Sequence, residues 1–239
     1  MSSGIFEKLA AVYGPQEPSF PTDPYLFLIW WHCGYPASDA ACAKGWISLT
    51  REFATDPGSL FSADPAGLSE ALRAGGMVPE IRARRLHEIA ERVLKEFGGD
   101  LCGALRMMPI AKARAALKKF PNIADPGADR IILFAGFAPV AAVPSNCPHV
   151  LVRIQRGLER ENYGVTYREA QEGIESGTPA TLDARSQAYL LLKRHGQEIC
   201  KRTNPKCDAC ALNDCCAYFA GKNRGRAAPA TRRIRQPAS

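Results

Sequence analysis

Apolar positions in this chain recur at helical spacing. Leu86, Ile89, Ala90, Val93, Leu94 and Phe97 each follow the last at intervals that lay one apolar stripe along a helix. Gly98-Gly99 predicts where that helix ends. Proline and glycine punctuate the rest at short intervals: Asp56-Pro57-Gly58, Asp64-Pro65, Gly75-Gly76, Pro109, Pro121 and Asp125-Pro126-Gly127. Asp64-Pro65 reads as a helix start, with aspartate as cap and proline in the first turn. No stretch sustains two-residue alternation between turns, so the pattern predicts an all-α protein without a sheet. The proline-rich segment Pro139 to Pro148 reads as a crossing between two helical regions.

The best apolar run, Tyr25 to Trp31, is far shorter than the ~18 residues of a spanning helix, so no membrane partner is expected. The opening MSSGIFEKLAAVYG lacks the basic start and apolar stretch of a signal peptide. The expectation is a cytoplasmic, reduced protein, nucleoid-associated if bacterial, and a monomer. A formal net charge of +7 favours a polyanionic partner, because each neutralised phosphate releases counterions. Residues 221–239 carry basic side chains, no acidic one and almost nothing to bury, which predicts a disordered basic tail.

Cysteine changes this picture most. Cys200, Cys207, Cys210 and Cys216 stand in a C-x6-C-x2-C-x5-C run. Thiolates this close, without a secretory signal, read as metal ligands rather than disulfides. Four thiolates and no histidine suit a [4Fe–4S] cluster or a zinc ion. Zinc sites usually show two short pairs, and only Cys207–Cys210 has that gap. Cys33, Cys42, Cys102 and Cys147 read as small buried hydrophobes. Cys215, beside Cys216, competes as the fourth ligand.

Between two helical stretches lies Phe120-Pro121-Asn122-Ile123-Ala124-Asp125-Pro126-Gly127-Ala128. A turn of this kind ends at a helix N-terminus, whose free N–H groups can hold a phosphate. Asp125 is placed to cap that helix, with Pro126 in its first turn.

The uneven cysteine spacing resembles the iron–sulfur loop of the endonuclease III family of DNA glycosylases. The hairpin is similar, without a gap, to that family's L-P-G-V-G-x-K-x-A motif: Phe120-Pro121 for L-P, Ile123 for V, Ala128 for A. Asn122 and Ala124 replace its two glycines; Ala124 is the poorer fit wherever φ must be positive. The run Leu190 to Cys200, with His195-Gly196 before the cysteine, resembles the helix leading into the cluster. Asp23 to Ile29 resembles the start of the helical barrel. The similarity spans roughly residues 20 to 220.

The resemblance implies a two-lobed helix–hairpin–helix glycosylase fold: a six-helix barrel over residues 22–137 and an iron–sulfur helical lobe from residues 1–21 and 138–220. It implies a [4Fe–4S] cofactor on Cys200, Cys207, Cys210 and Cys216. The implied partner is double-stranded DNA, damaged or mismatched, with a nucleotide flipped into a cleft. Pro121, Asn122, Ile123, Ala124 and Asp125 of the hairpin are then DNA-binding candidates. So are Lys201, Arg202 and Lys206 of the cluster loop, which would contact phosphates without choosing sequence. Trp31, His32 and Tyr35 lie where the family lines its base pocket.

The chemistry departs from the family. Cleaving an N-glycosidic bond needs a carboxylate, and a lyase step needs an amine for a Schiff base. The family's lysine position is Pro126 here and its aspartate position is Pro144. The expectation is a monofunctional N-glycosylase without lyase activity; the alternative is a non-catalytic binder of damaged DNA. Asp125, Asp129 and Asp39 are candidate replacement carboxylates, against plain readings of Asp125 as a helix cap, Asp129 as a solvated helix residue and Asp39 as a turn or cap residue. His149 and His32 are candidate acid–base groups.

Overall fold

The structure, a computed structural model, describes residues 4–34 and 38–227. Among them it has helices and no strand: α1 Ile5–Tyr13, α2 Pro24–His32, α3 Asp39–Glu52, α4 Pro57–Ser62, α5 Pro65–Leu72, α6 Pro79–Phe97, α7 Leu101–Arg106, α8 Ile110–Leu117, α9 Asp125–Phe134, α10 His149–Arg156, α11 Tyr163–Gly177, α12 Leu182–Glu198 and α13 Ala217–Ala227. No described helix is long and apolar enough to cross a membrane.

Aspartate starts many of these helices. Asp23, Asp56, Asp64 and Asp100 each accept the N–H three residues on, satisfying a donor the helix cannot use itself. Each such cap is worth about 1 kcal/mol. Asp56-Pro57-Gly58, read above as punctuation, is thus a helix start. The apolar stripe forms the inner face of α6, which ends at Gly98 with φ 61°. Leu94 and Phe97, at its C-terminal end, are only partly covered.

The described chain divides into two compact units. One comprises residues 15–145 and 179–190. Its core is built by α2 to α9, with Leu28, Ile29, Leu49, Leu60, Leu86, Ile89 and Ile132 fully buried. The other comprises residues 4–14, 146–178 and 191–227. Leu9, Val150, Val152, Ile174 and Leu212 fill its interior. The chain passes from the first to the second at Ser145–Asn146, inside the helix-free Pro139–Pro148 crossing. Helix α13 runs to Ala227, into the stretch expected to be a disordered tail; residues 228–239 of that expectation lie outside the described residues.

Candidate nucleic-acid interface and cysteine centre

The hairpin joins α8 to α9. Phe120 and Ile123 are buried and anchor the turn. Between them Asn122 takes φ 55°, the left-handed region that asparagine tolerates better than most residues. Its amide, with the oxygen toward Arg85, accepts from Nη1 at 2.8 Å and Nε at 3.3 Å. The same end of the amide lies 3.4 Å from His32 Nε2. Ala124 is extended, with φ −104°, so this position does not require a glycine.

Asp125 does not cap α9. It is the first helical residue, and no side chain caps the helix. Its Oδ1 lies instead 2.6 Å from Lys118 Nζ, at the C-terminal end of α8. Asp129 is not solvated but wholly buried, 2.5 Å from Arg114 Nη2. Burying a carboxylate costs several kcal/mol unless a cation accompanies it, so the Arg114 pairing is a condition of the α8–α9 contact. Ser38 rather than Asp39 caps α3. Asp39 Oδ2 sits 3.4 Å from Arg130 Nη2.

The tryptophans serve Arg130. Its guanidinium lies 3.8 Å from the Phe20 ring centre, 4.8 Å from Phe27, and 5.6 Å from Trp30, Trp31 and Tyr189. The ring faces offset the loss of water around a buried cation. Trp31 also stacks on Phe27 at 6.0 Å. His32 is fully buried, and its Nδ1–H donates to the Leu28 carbonyl at 2.8 Å. Burial holds its pKa down to about 4, so the ring is neutral at pH 7. Tyr35, the remaining pocket candidate, lies outside the described residues.

In the other unit, Cys200, Cys207, Cys210 and Cys216 line one cavity of about 20 Å³ together with Arg153 and His195. No three His, Cys, Asp or Glu side chains among the described residues stand close enough for a single metal ion. Burial pushes the Cys200 thiol up to about 11 and raises that of Cys210. Cys215 is exposed, donates to the Leu212 carbonyl at 3.4 Å, and faces the groove beside the cavity rather than the cavity itself. Cys33, Cys42 and Cys147 are buried, and Cys102 is half-buried.

Arg153, unmarked in the sequence except by its place in the apolar run Val150 to Ile154, organises this centre. Nη1 donates to the Lys201 carbonyl at 2.9 Å, and Nη2 to the Arg202 carbonyl at 3.0 Å and to Glu159 at 2.8 Å. Its guanidinium lies 4.9 Å from the Tyr218 ring centre. His149 is buried too. Its Nε2–H donates to the Cys200 carbonyl at 2.8 Å, and desolvation keeps its pKa below the usual histidine range. His195 Nε2 is 3.6 Å from Cys210 Sγ, and its Nδ1 is 3.0 Å from Tyr13 Oη. Gly196 is required by contact: a Cβ there would lie 2.4 Å from Cys147 Sγ. Lys201, Arg202 and Lys206 are exposed on the loop, and Arg202 Nη2 already meets Glu159 at 3.3 Å. At the two positions the resemblance would make catalytic, Pro144 is buried and Pro126 half-buried.

The fold is the all-α helix–hairpin–helix glycosylase fold. One solved structure with it, a non-covalent endonuclease III–DNA complex, superposes with a TM-score of 0.72 at 17% identity, over 94% of this chain and 99% of that one. In sequence, endonuclease III of Thermotoga maritima is 25% identical over 213 residues, covering 89% of this chain and 91% of the relative. A thymine/uracil-DNA glycosylase of Pyrobaculum aerophilum is 23% identical over 182 residues, 74% of this chain and 75% of the relative. No protein-family model matches the chain. Over most of its length the chain is thus similar in sequence to endonuclease III and shares the fold of an endonuclease III solved with DNA.

Proposed function

We propose that this protein works in DNA base excision repair, binding duplex DNA and releasing a damaged or mispaired base by N-glycosidic cleavage. The hairpin carries the reading. Its turn is fixed by buried Phe120 and Ile123, and it delivers α9 with no side-chain cap, so backbone N–H groups of that first turn remain for a phosphate. Lys201 and Lys206 add exposed cations on the cysteine loop. Relatives that act on DNA along most of the same length support the assignment.

The four cysteines fit a [4Fe–4S] cluster better than zinc. A tetrahedral ion with Zn–S near 2.3 Å needs sulfurs roughly 3.8 Å apart. The thiols share one cavity but do not close on a single point. A cluster spreads its thiolates over several irons. When bound it would supply positive charge that keeps the buried thiols ionised, and Cys200, Cys207, Cys210 and Cys216 would hold it. Arg153, His149 and the backbone then hold the loop that carries Lys201 and Lys206 in one conformation.

Proline at 126 provides no amine, so base release proceeds without the family's strand-cutting step at that position. A second reading, damage binding without chemistry, is favoured by one observation: Asp39, Asp125 and Asp129 are each already tied to a basic side chain. Cluster-loaded protein on duplexes with alkylated, oxidised, deaminated or mismatched bases, followed by hot alkali, separates the two. Strand breaks appearing only after alkali establish base release. Tight binding without breaks on any duplex selects the second reading.

A further inference from the structure

Beside the cysteine cavity, three polar groups stand in line. Tyr13 Oη, at the end of α1, is 3.0 Å from His195 Nδ1, and His195 Nε2 is 3.6 Å from Cys210 Sγ. His195 is 1% exposed, so its ring nitrogens have these partners in place of water. Tyr13 is itself held. The Arg194 guanidinium lies 4.8 Å from its ring centre, and Arg194 Nη1 donates to its carbonyl at 3.3 Å. Cys210 Sγ also accepts from the Leu212 N–H at 3.4 Å.

An imidazole nitrogen can accept from a thiol or donate to a thiolate. On a cluster Cys210 is a thiolate with no hydrogen to give, so Nε2 must carry the hydrogen between them. In the neutral ring Nδ1 is then an acceptor, which suits the Tyr13 hydroxyl as donor. The donors run one way, from Tyr13 through the ring to the sulfur.

We infer that His195 tunes the reduction potential of the cluster through Cys210, and that Tyr13 is the positioning residue for its ring. This rests on the cluster reading of the four cysteines. The Nε2–H draws negative charge from the sulfur. That favours the reduced cluster, which holds one more electron, and so raises the potential. The Tyr13 hydroxyl withdraws charge at Nδ1, which strengthens Nε2–H as a donor, and it fixes the ring's orientation as outer partners of metal ligands do. Helix α1 thereby acts on a centre that it reaches from 182 residues earlier in the chain.

Protein-film voltammetry of the cluster-loaded, full-length protein tests this. The four cysteines are untouched in every variant, and brown colour confirms loading. His195→Leu removes the donor, and the midpoint potential falls. Tyr13→Phe keeps the ring and loses only the hydroxyl, and the midpoint falls by less, in the same direction. Adding Tyr13→Phe to His195→Leu produces no further fall. An unchanged midpoint in His195→Leu overturns the inference; where that variant does not load, an unchanged midpoint in Tyr13→Phe overturns it instead. A further fall in the double variant overturns the role of Tyr13 through the ring. Wild-type protein that stays colourless after loading with iron and sulfide overturns the cluster reading and this inference with it.

Discussion

At the residue scale, His32 shows what burial does to a titratable group. In the unfolded chain it titrates near its ordinary value of 6.5, whereas in the fold it stays neutral down to about 4. Between those values the unfolded state binds the extra proton, so stability falls as pH drops through the window and levels off below it. The span corresponds to about 3 kcal/mol. Urea titrations of the wild type and His32→Gln from pH 7 to pH 4 should show a markedly shallower decline in the variant; parallel curves would refute the assignment. Some of this scale is legible without coordinates. Asn122 is one of the few residue types that enters the left-handed region cheaply, so its positive φ can be anticipated. Asp129 cannot be anticipated: a charge at helical spacing looks solvated until Arg114, on the preceding helix, is known to meet it.

At the element scale, local signals were strongest at helix starts and weakest for what holds loops. Aspartate before proline starts α2, α4 and α5 through the same bond, a purely local device. The cysteine loop is different, because its geometry depends on Arg153 in α10, some fifty residues earlier. Nothing near Cys200 encodes that donor. Arg153→Leu leaves the Lys201 and Arg202 carbonyls without their donor and Glu159 without this partner. It should cost about 3 kcal/mol in thermal or urea unfolding, as breaking a buried charge pair does. In cluster-loaded protein it should also speed bleaching of the brown colour. Wild-type stability in this variant would mean that the loop holds itself. Arg153→Lys should rescue little, since a single ammonium cannot reproduce the fork that spans two carbonyls and a carboxylate.

For the whole molecule, the basic surplus was plain in the composition, but its useful part depends on which cations are already paired. Lys201 and Lys206 are exposed on the loop, while Arg202 shares Glu159 with Arg153. Lys201→Ala and Lys206→Ala should each flatten the slope of log Kd against log salt by about one unit on any duplex. Arg202→Ala should flatten it less, because Glu159 already neutralises part of that charge. Equal slopes for Lys206→Ala and wild type would remove that residue from the DNA interface. Composition carries no trace of this ranking, since it follows from ion pairs between segments far apart in the chain.

Lys8 of α1 pairs with Asp214, 206 residues later. During synthesis, α1 emerges well before the residues that complete its unit. The unit with the hairpin is nearly all translated by Ser145, before any of the four clustered cysteines exists. Helix α1 therefore waits while the other unit is translated, with apolar Ile5, Phe6 and Leu9 uncovered. Quality control would see α1 as unfinished until residues 191–227 arrive, and a truncation before them would strand a helix made nearly two hundred residues earlier.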